Sequence, residues 1–188
     1  LLYVALGDST VEGVAASSAS RTYVSRLHER LRSVYPAAQV ENLGASGAVS
    51  RDVLRGQVPR AVNLDPDLVT LSVGPTDLTS RVKVSDYERT VGKILRRLTR
   101  ETRALVVVNL LPDLAVTPRF ARSESRDAVG RLTVEFNEAL ARQANAYGVE
   151  VVDLYARSRE EVPRRPELVA SDGYHPSDLG YARWAELM

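Results

Sequence analysis

Leu2-Tyr3-Val4-Ala5-Leu6-Gly7-Asp8-Ser9-Thr10 begins with five apolar residues and empties into a glycine followed by small polar ones. An apolar run of this length, without alternation and closed by a tight turn, has the form of a strand buried on both faces. Strands of that kind belong to parallel sheets, whose neighbours must be joined by crossovers. The residues that follow supply one. Between Ser20 and Tyr35 the apolar positions Tyr23, Val24, Leu27, Leu31 and Val34 recur at three- and four-residue steps until Pro36 ends the pattern, which predicts an amphipathic helix.

The same alternation continues to the C-terminus. A second strand is expected at about Gln39–Leu43, ending at Gly44, with a helix marked by Val53, Leu54, Val58, Ala61 and Val62. The third strand, Asp67–Val73, stops at Gly74-Pro75-Thr76-Asp77, and Tyr87, Val91, Ile94, Leu95 and Leu98 mark the next helix. Ala104–Leu111 reads as the fourth strand, a helix from about Ser123 to Tyr147 ends at Gly148, and Val149–Leu154 reads as the fifth. A polar, Arg-rich loop over Ala156–Ser171 then leads to Pro176, placed for the first turn of a final helix with Leu179, Trp184 and Leu187. Five strands alternating with helices predict a single α/β domain over residues 1–188, a three-layer α/β/α sandwich around a parallel sheet. Ligands of such folds gather beyond the carboxyl ends of the strands, near the reversal of strand order.

Composition narrows the partners. Twenty-five basic and 24 acidic residues leave a net charge of +1, too weak a field to imply nucleic acid or a membrane surface. The chain has no cysteine, which removes disulfides, thiolate metal sites and a cysteine nucleophile. The apolar run around Leu105–Leu111 is far shorter than the roughly 20 residues needed to cross a bilayer. Small neutral or mixed substrates fit this charge balance better. The sequence opens on Leu1-Leu2 without a Met or a basic segment, as it would if an export signal had been trimmed; location stays open between that and a slightly favoured cytoplasmic one.

Four turns fall at element ends: Gly7-Asp8-Ser9, Leu43-Gly44-Ala45, Gly74-Pro75-Thr76-Asp77 and Asp172-Gly173-Tyr174-His175. A serine hydroxyl is inert at neutral pH until a base takes its proton, and histidine titrates in the suitable range. There are two histidines. His28 sits in the first helix among Arg26, Glu29, Arg30 and Arg32 and reads as a surface residue. His175 precedes Pro176 and follows Asp172 by three residues, a spacing that lets the carboxylate curl back onto the imidazole. Taken singly, Ser9 reads as a turn residue, Asp172 and His175 as helix caps, and Gly44 and Gly74 as backbone punctuation.

Taken together, these blocks resemble the GDSL, or SGNH, hydrolases: Gly7-Asp8-Ser9-Thr10 on the first strand, Gly44 after the second, Gly74-Pro75-Thr76-Asp77 after the third, and Asp172-Gly173-Tyr174-His175-Pro176 near the end. The resemblance spans nearly the whole chain. It implies a flavodoxin-like five-stranded sheet, hydrolysis of carboxylic esters of esterase, lipase or deacetylase type, and no need of a cofactor or metal. It also implies Ser9 as nucleophile, His175 and Asp172 as its partners, and an oxyanion hole formed by the amides of Ser9 and Gly44. The family's third block carries an asparagine where this chain has Thr76, whose shorter hydroxyl would have to serve as third donor.

That departure leaves two readings: a working serine hydrolase, or a weakened domain of the same fold that binds an acylated or glycosidic ligand. A phosphate or flavin cradle at the first turn is opposed by Asp8 and Glu12 and by the lack of a phosphate-loop lysine. Segments Leu110–Phe120 and Val162–Val169 are the expected pocket walls. Their Leu111, Leu114, Val116, Phe120 and Leu168 could form an apolar acyl site rimmed by Arg119, Arg122, Arg164 and Arg165, or simply pack onto the domain.

Overall fold

In the computed structural model, which describes residues 1–188, strand β1 (Leu2–Gly7) is flanked by β2 (Gln39–Asn42) and β3 (Leu68–Ser72), with β4 (Leu105–Asn109) and β5 (Glu150–Val152) beyond. All pairings are parallel and the order is β2-β1-β3-β4-β5. The order reverses between β1 and β3, so the crevice at their carboxyl ends is the site this topology offers a ligand.

The helices are α1 (Ser9–Glu12), α2 (Tyr23–Val34), α3 (Ser50–Asp52), α4 (Val58–Leu64), α5 (Pro75–Thr79), α6 (Val84–Glu101), α7 (Pro118–Ala121), α8 (Arg126–Tyr147), α9 (Leu154–Glu161) and α10 (Asp178–Leu187). Alternation along β1 divides the core between two layers. Val4 and Leu6 face a large cluster with Val69, Leu71, Ile94, Leu95, Phe136 and Leu140 from β3, α6 and α8. Tyr3 and Ala5 face a smaller one with Tyr23, Val24, Tyr181 and Trp184 from α2 and α10. Both faces of the strand are dry, which is why its sequence carries no polar alternation.

Three expectations are corrected. The stretch Ala156–Ser171 is not one loop, because α9 runs from Leu154 to Glu161. Leu154 is that helix's single buried residue, so no apolar period betrays it, and its Asp153 cap accepting from the Ala156 amide at 2.9 Å was the legible signal. Pro176 lies before the last helix rather than in its first turn. Ser177 is the cap, and Pro176 pairs with Val169 in an isolated antiparallel bridge. His28 is half-buried, its Nε2 2.8 Å from the Ala38 carbonyl, so it ties α2 to the approach to β2.

Between α3 and α4 the helix widens over Val53–Gln57, ahead of Pro59, which has no N–H to give. Gln57 at the end of this turn clamps Gly7. Its Oε1 accepts from the Gly7 amide and its Nε2 donates to the Gly7 carbonyl, each at 2.8 Å. Gly7 has a φ of 151°, and a Cβ there would lie 2.0 Å from the Ser72 carbonyl oxygen. Only glycine lets β1 pass that close to β3 before turning into Ser9.

Candidate active site

Asp8 starts the site. Its Oδ1 accepts from the Thr10 amide at 3.1 Å and the Thr10 hydroxyl at 2.9 Å, capping α1 and leaving Ser9 as the first residue of that helix. Burial raises the Asp8 carboxyl above the ordinary range, while the Thr10 amide and hydroxyl and the Thr76 hydroxyl favour its charged form. The amide of Ser9 meets no acceptor within the chain.

His175 arrives from the other end of the sequence on a pinned turn. The Ala170 amide donates to the His175 carbonyl, the Gly173 amide to the Ala170 carbonyl and the Ser177 amide to the Leu168 carbonyl, while the Arg119 amide holds the Gly173 carbonyl from α7. Asp172 folds inward: Oδ1 accepts the Tyr174 and His175 amides at 2.9 and 3.0 Å, and Oδ2 meets His175 Nδ1 at 2.5 Å. On the far side of the ring, Nε2 is 2.9 Å from Ser9 Oγ. Burial works against the Asp172 charge, but the bonds from the His175 ring and the two amides prevail and hold its carboxyl below the ordinary range. An ionised carboxylate only accepts, so Nδ1 carries the proton and Nε2 offers its lone pair to the Ser9 hydroxyl. The structure thus brings Ser9 into one hydrogen-bonded line with His175 and Asp172, from two segments remote in sequence.

The other two residues singled out in the sequence lie differently. The Gly44 amide donates to Asn42 Oδ1 at 2.9 Å. Gly44 has a packing reason for being glycine, since a Cβ there would be 2.6 Å from both the Glu12 amide and Val11 Cβ. The next amides are also engaged, Ala45 with the Gly7 carbonyl and Ser46 with Glu12 Oε2. Gly47, at φ 78° with open space where a Cβ would stand, has a free amide in the same turn. Sequence reasoning passed over it, and the second glycine of Gly44-Ala45-Ser46-Gly47 was the available signal. The Thr76 hydroxyl is turned to Asp8 Oδ2 at a long 3.4 Å.

Beside it, Asp77 is fully buried and takes the Ser50 amide and, at 2.6 Å, the Ser50 hydroxyl. Burial outweighs these bonds and pushes its carboxyl up to about 6. The folded state therefore holds this proton more tightly than the unfolded chain, whose carboxylate titrates near 3.9, and stability falls as pH rises between the two values. Asp77→Asn should flatten the difference in Tm between about pH 4 and about pH 7 relative to the native chain. Thermal unfolding at the two pH values checks it, and an unchanged difference would count against a buried charge here.

No group of three or more His, Cys, Asp or Glu residues gathers in a metal-holding arrangement, and no helix is long and apolar enough to cross a membrane. The family model of the GDSL-like lipase/acylhydrolases matches residues 5–183. Among solved structures, an acetyl xylan esterase, AlAXEase, is 17% identical with a TM-score of 0.82, covering 100% of this chain and 98% of its own. Axe2, an acetylxylan esterase from Geobacillus stearothermophilus, is 21% identical at TM-score 0.80, covering 99% and 91%. TesA is 20% identical at TM-score 0.79, covering 99% and 94%. At these identities the likeness concerns the fold. No curated protein matches the chain in sequence.

Proposed function

The chain belongs to the GDSL-like lipase/acylhydrolase family and is an ester hydrolase, and we propose that it works as one domain in which Ser9 is the nucleophile, His175 its base and Asp172 the group that orients His175. The observation that carries this reading is the line from Ser9 Oγ to Nε2 at 2.9 Å and from Nδ1 to Asp172 at 2.5 Å. His175 takes the Ser9 proton as Oγ attacks the ester carbonyl, then gives it to the departing alcohol. Water, deprotonated by the same Nε2, releases the acid from the acyl-enzyme.

The oxyanion is received first by the free Ser9 amide. Gly44, the second donor expected from the sequence, has its amide committed to Asn42. The unengaged Gly47 amide, in a turn held against α1 through Glu12, takes that part. The Thr76 hydroxyl has one hydrogen and has turned it to Asp8, so it serves the oxyanion only by leaving that carboxylate. An asparagine has two N–H donors and can satisfy both. An added oxyanion donor contributes about 3 kcal/mol, so Thr76→Asn is expected to raise kcat by about a hundredfold or more. Steady-state hydrolysis of a p-nitrophenyl ester reads this, and an unchanged kcat would remove position 76 from the hole.

Intact-protein mass after incubation with a fluorophosphonate tests the nucleophile without knowledge of the substrate. One phosphonyl adduct on the native chain, absent from Ser9→Ala, is the expected result. No adduct on the folded native chain would favour a domain that binds its acylated ligand without turning it over.

A further inference from the structure

Gln57 is a carboxamide in apolar surroundings. Val53, Val58 and Ala61, buried with it along the widened turn and α4, are each 0% exposed, and Gln57 itself is 7% exposed. A methionine or leucine would fill such a place without polar cost, whereas a buried amide group is costly unless its hydrogen bonds are made. Gln57 makes them with one residue. Oε1 accepts from the Gly7 amide and Nε2 donates to the Gly7 carbonyl, each at 2.8 Å. That N–H belongs to the peptide group before the Gly7 Cα and that carbonyl to the peptide group after it, so the pair holds both soft dihedral angles of Gly7.

We propose that Gln57 is a positioning residue of the enzyme, which by clamping Gly7 keeps the Ser9 hydroxyl and amide at their reacting places. The inference rests on Ser9 being the nucleophile. The need for a clamp follows from the packing of β1 on β3. A Cβ at residue 7 would stand 2.0 Å from the Ser72 carbonyl oxygen, so the position is confined to glycine, the residue whose backbone turns most freely. Ser9 lies two residues on. A hinge at Gly7 would let Oγ swing away from His175 Nε2, with which it is in contact at 2.9 Å, and a misplacement of about 1 Å costs about a hundredfold in rate. The Asp8 cap orders Ser9 within α1, and the Gln57 pair orders α1 on β1.

The clamp reaches the oxyanion side as well. The Gly7 carbonyl takes a second donor, the Ala45 amide at 3.1 Å, so the turn that offers the Gly47 amide hangs from the same group that Gln57 holds. Gln57 comes to this place at the end of the widened turn, where the Val58 amide bonds the Val53 carbonyl five residues back, a departure from the α-helix that is frequent at functional sites. Substrate does not touch it. The cleft beside Ser9 is lined by Leu114, Val162 and Leu168, from the two segments expected to wall a pocket, with Leu154 and Trp184, and Gln57 is not among its residues.

Two variants test this, each compared with the native chain well below its own Tm. Gln57→Met keeps the length of the side chain and removes both bonds. Its kcat for p-nitrophenyl acetate and its rate of fluorophosphonate labelling at Ser9 should each fall about a hundredfold, with KM nearly unchanged. Gln57→Glu puts the pair under proton control. The neutral acid accepts from the Gly7 amide and donates to the Gly7 carbonyl as the carboxamide does, whereas the carboxylate can only accept. Burial raises such a carboxyl above its ordinary value of about 4.3. The ratio of its labelling rate to the native rate, in which titrations common to both cancel, should therefore fall as pH rises from about 5 to about 8 and approach the level of Gln57→Met, whose own ratio stays flat. A folded Gln57→Met that labels within about twofold of native, or a loss carried by KM, would leave Gln57 a packing residue and overturn the proposal. If that variant does not fold, a Gln57→Glu ratio that is flat with pH overturns it instead. Failure of the nucleophile reads differently, since the native chain itself would then take no phosphonyl adduct.

Discussion

Ser9→Ala should lower kcat by about four to six orders of magnitude with little change in KM, and His175→Ala by a similar factor, because a nucleophile and its base act as one unit. For the same reason the double variant should be hardly worse than either single one. Simple addition of the losses would mean that the two residues contribute separately, against a shared proton transfer across the 2.9 Å contact between Ser9 Oγ and Nε2. Neither change should unfold the protein. Ser9 opens α1 just past β1, with its backbone fixed by the Asp8 cap and the Gln57 clamp on Gly7 rather than by its hydroxyl. Residual hydrolysis should remain above the rate in water, since the Ser9 position keeps its free amide in both variants. The measurement is single-turnover and steady-state hydrolysis of a p-nitrophenyl ester, with thermal unfolding as the control. A Ser9→Ala enzyme within about a hundredfold of the native rate would assign the chemistry to another group.

The architecture was legible because its signals are local and repeated. Each buried strand is a short apolar run closed by a turn, and the long crossover helices α2, α6 and α8 carry apolar stripes. Helix α9 escaped because a helix lying mostly in water has no stripe to show: its residues after Leu154 are largely Arg, Glu and Ser. The meeting of Ser9, His175 and Asp172 could be anticipated because, with two histidines and no cysteine, few residues of the sequence suit the proposed chemistry. Which amides stay free beside Ser9 could not be, because a backbone amide carries no side-chain signature. Whether Gly44 or Gly47 presents a free N–H depends on what Asn42 and Glu12 reach, and those contacts exist only once β1, α1 and the turn after β2 are assembled. The direction of the Thr76 hydroxyl is likewise set by Asp8, a partner 68 residues away.

That dependence on assembly bears on how the base is held. Asp172 is 42% exposed at its side chain while His175 is 17% exposed, so the orienting carboxylate faces water while the imidazole faces the site. Its hold on the ring comes from geometry rather than from burial. Oδ1 is occupied by two consecutive amides, which fixes the carboxylate plane and aims Oδ2 at Nδ1. The same three bonds hold the carboxyl below the ordinary range, so Asp172 keeps the charge that Nδ1–H donates to.

Asp172→Asn should accordingly cost about four orders of magnitude in kcat while leaving the fold and KM nearly intact. Asparagine can keep its oxygen on the Tyr174 and His175 amides, because these are donors and only the oxygen accepts from them. Its NH2 group must then face Nδ1. A donor there requires Nδ1 to accept, which moves the ring proton to Nε2, and an Nε2 that carries a proton cannot take one from Ser9. The amide bonds that make the native turn rigid are thus the ones that force the wrong tautomer in the variant. Nitrogen NMR of the His175 ring distinguishes this from simple loosening, since the two ring nitrogens exchange their protonated and unprotonated shifts while the Tm stays close to native. A variant within about tenfold of native activity, or one whose ring keeps its proton on Nδ1, would reduce Asp172 to a staple of the turn and leave Ser9 and His175 as a two-residue machine.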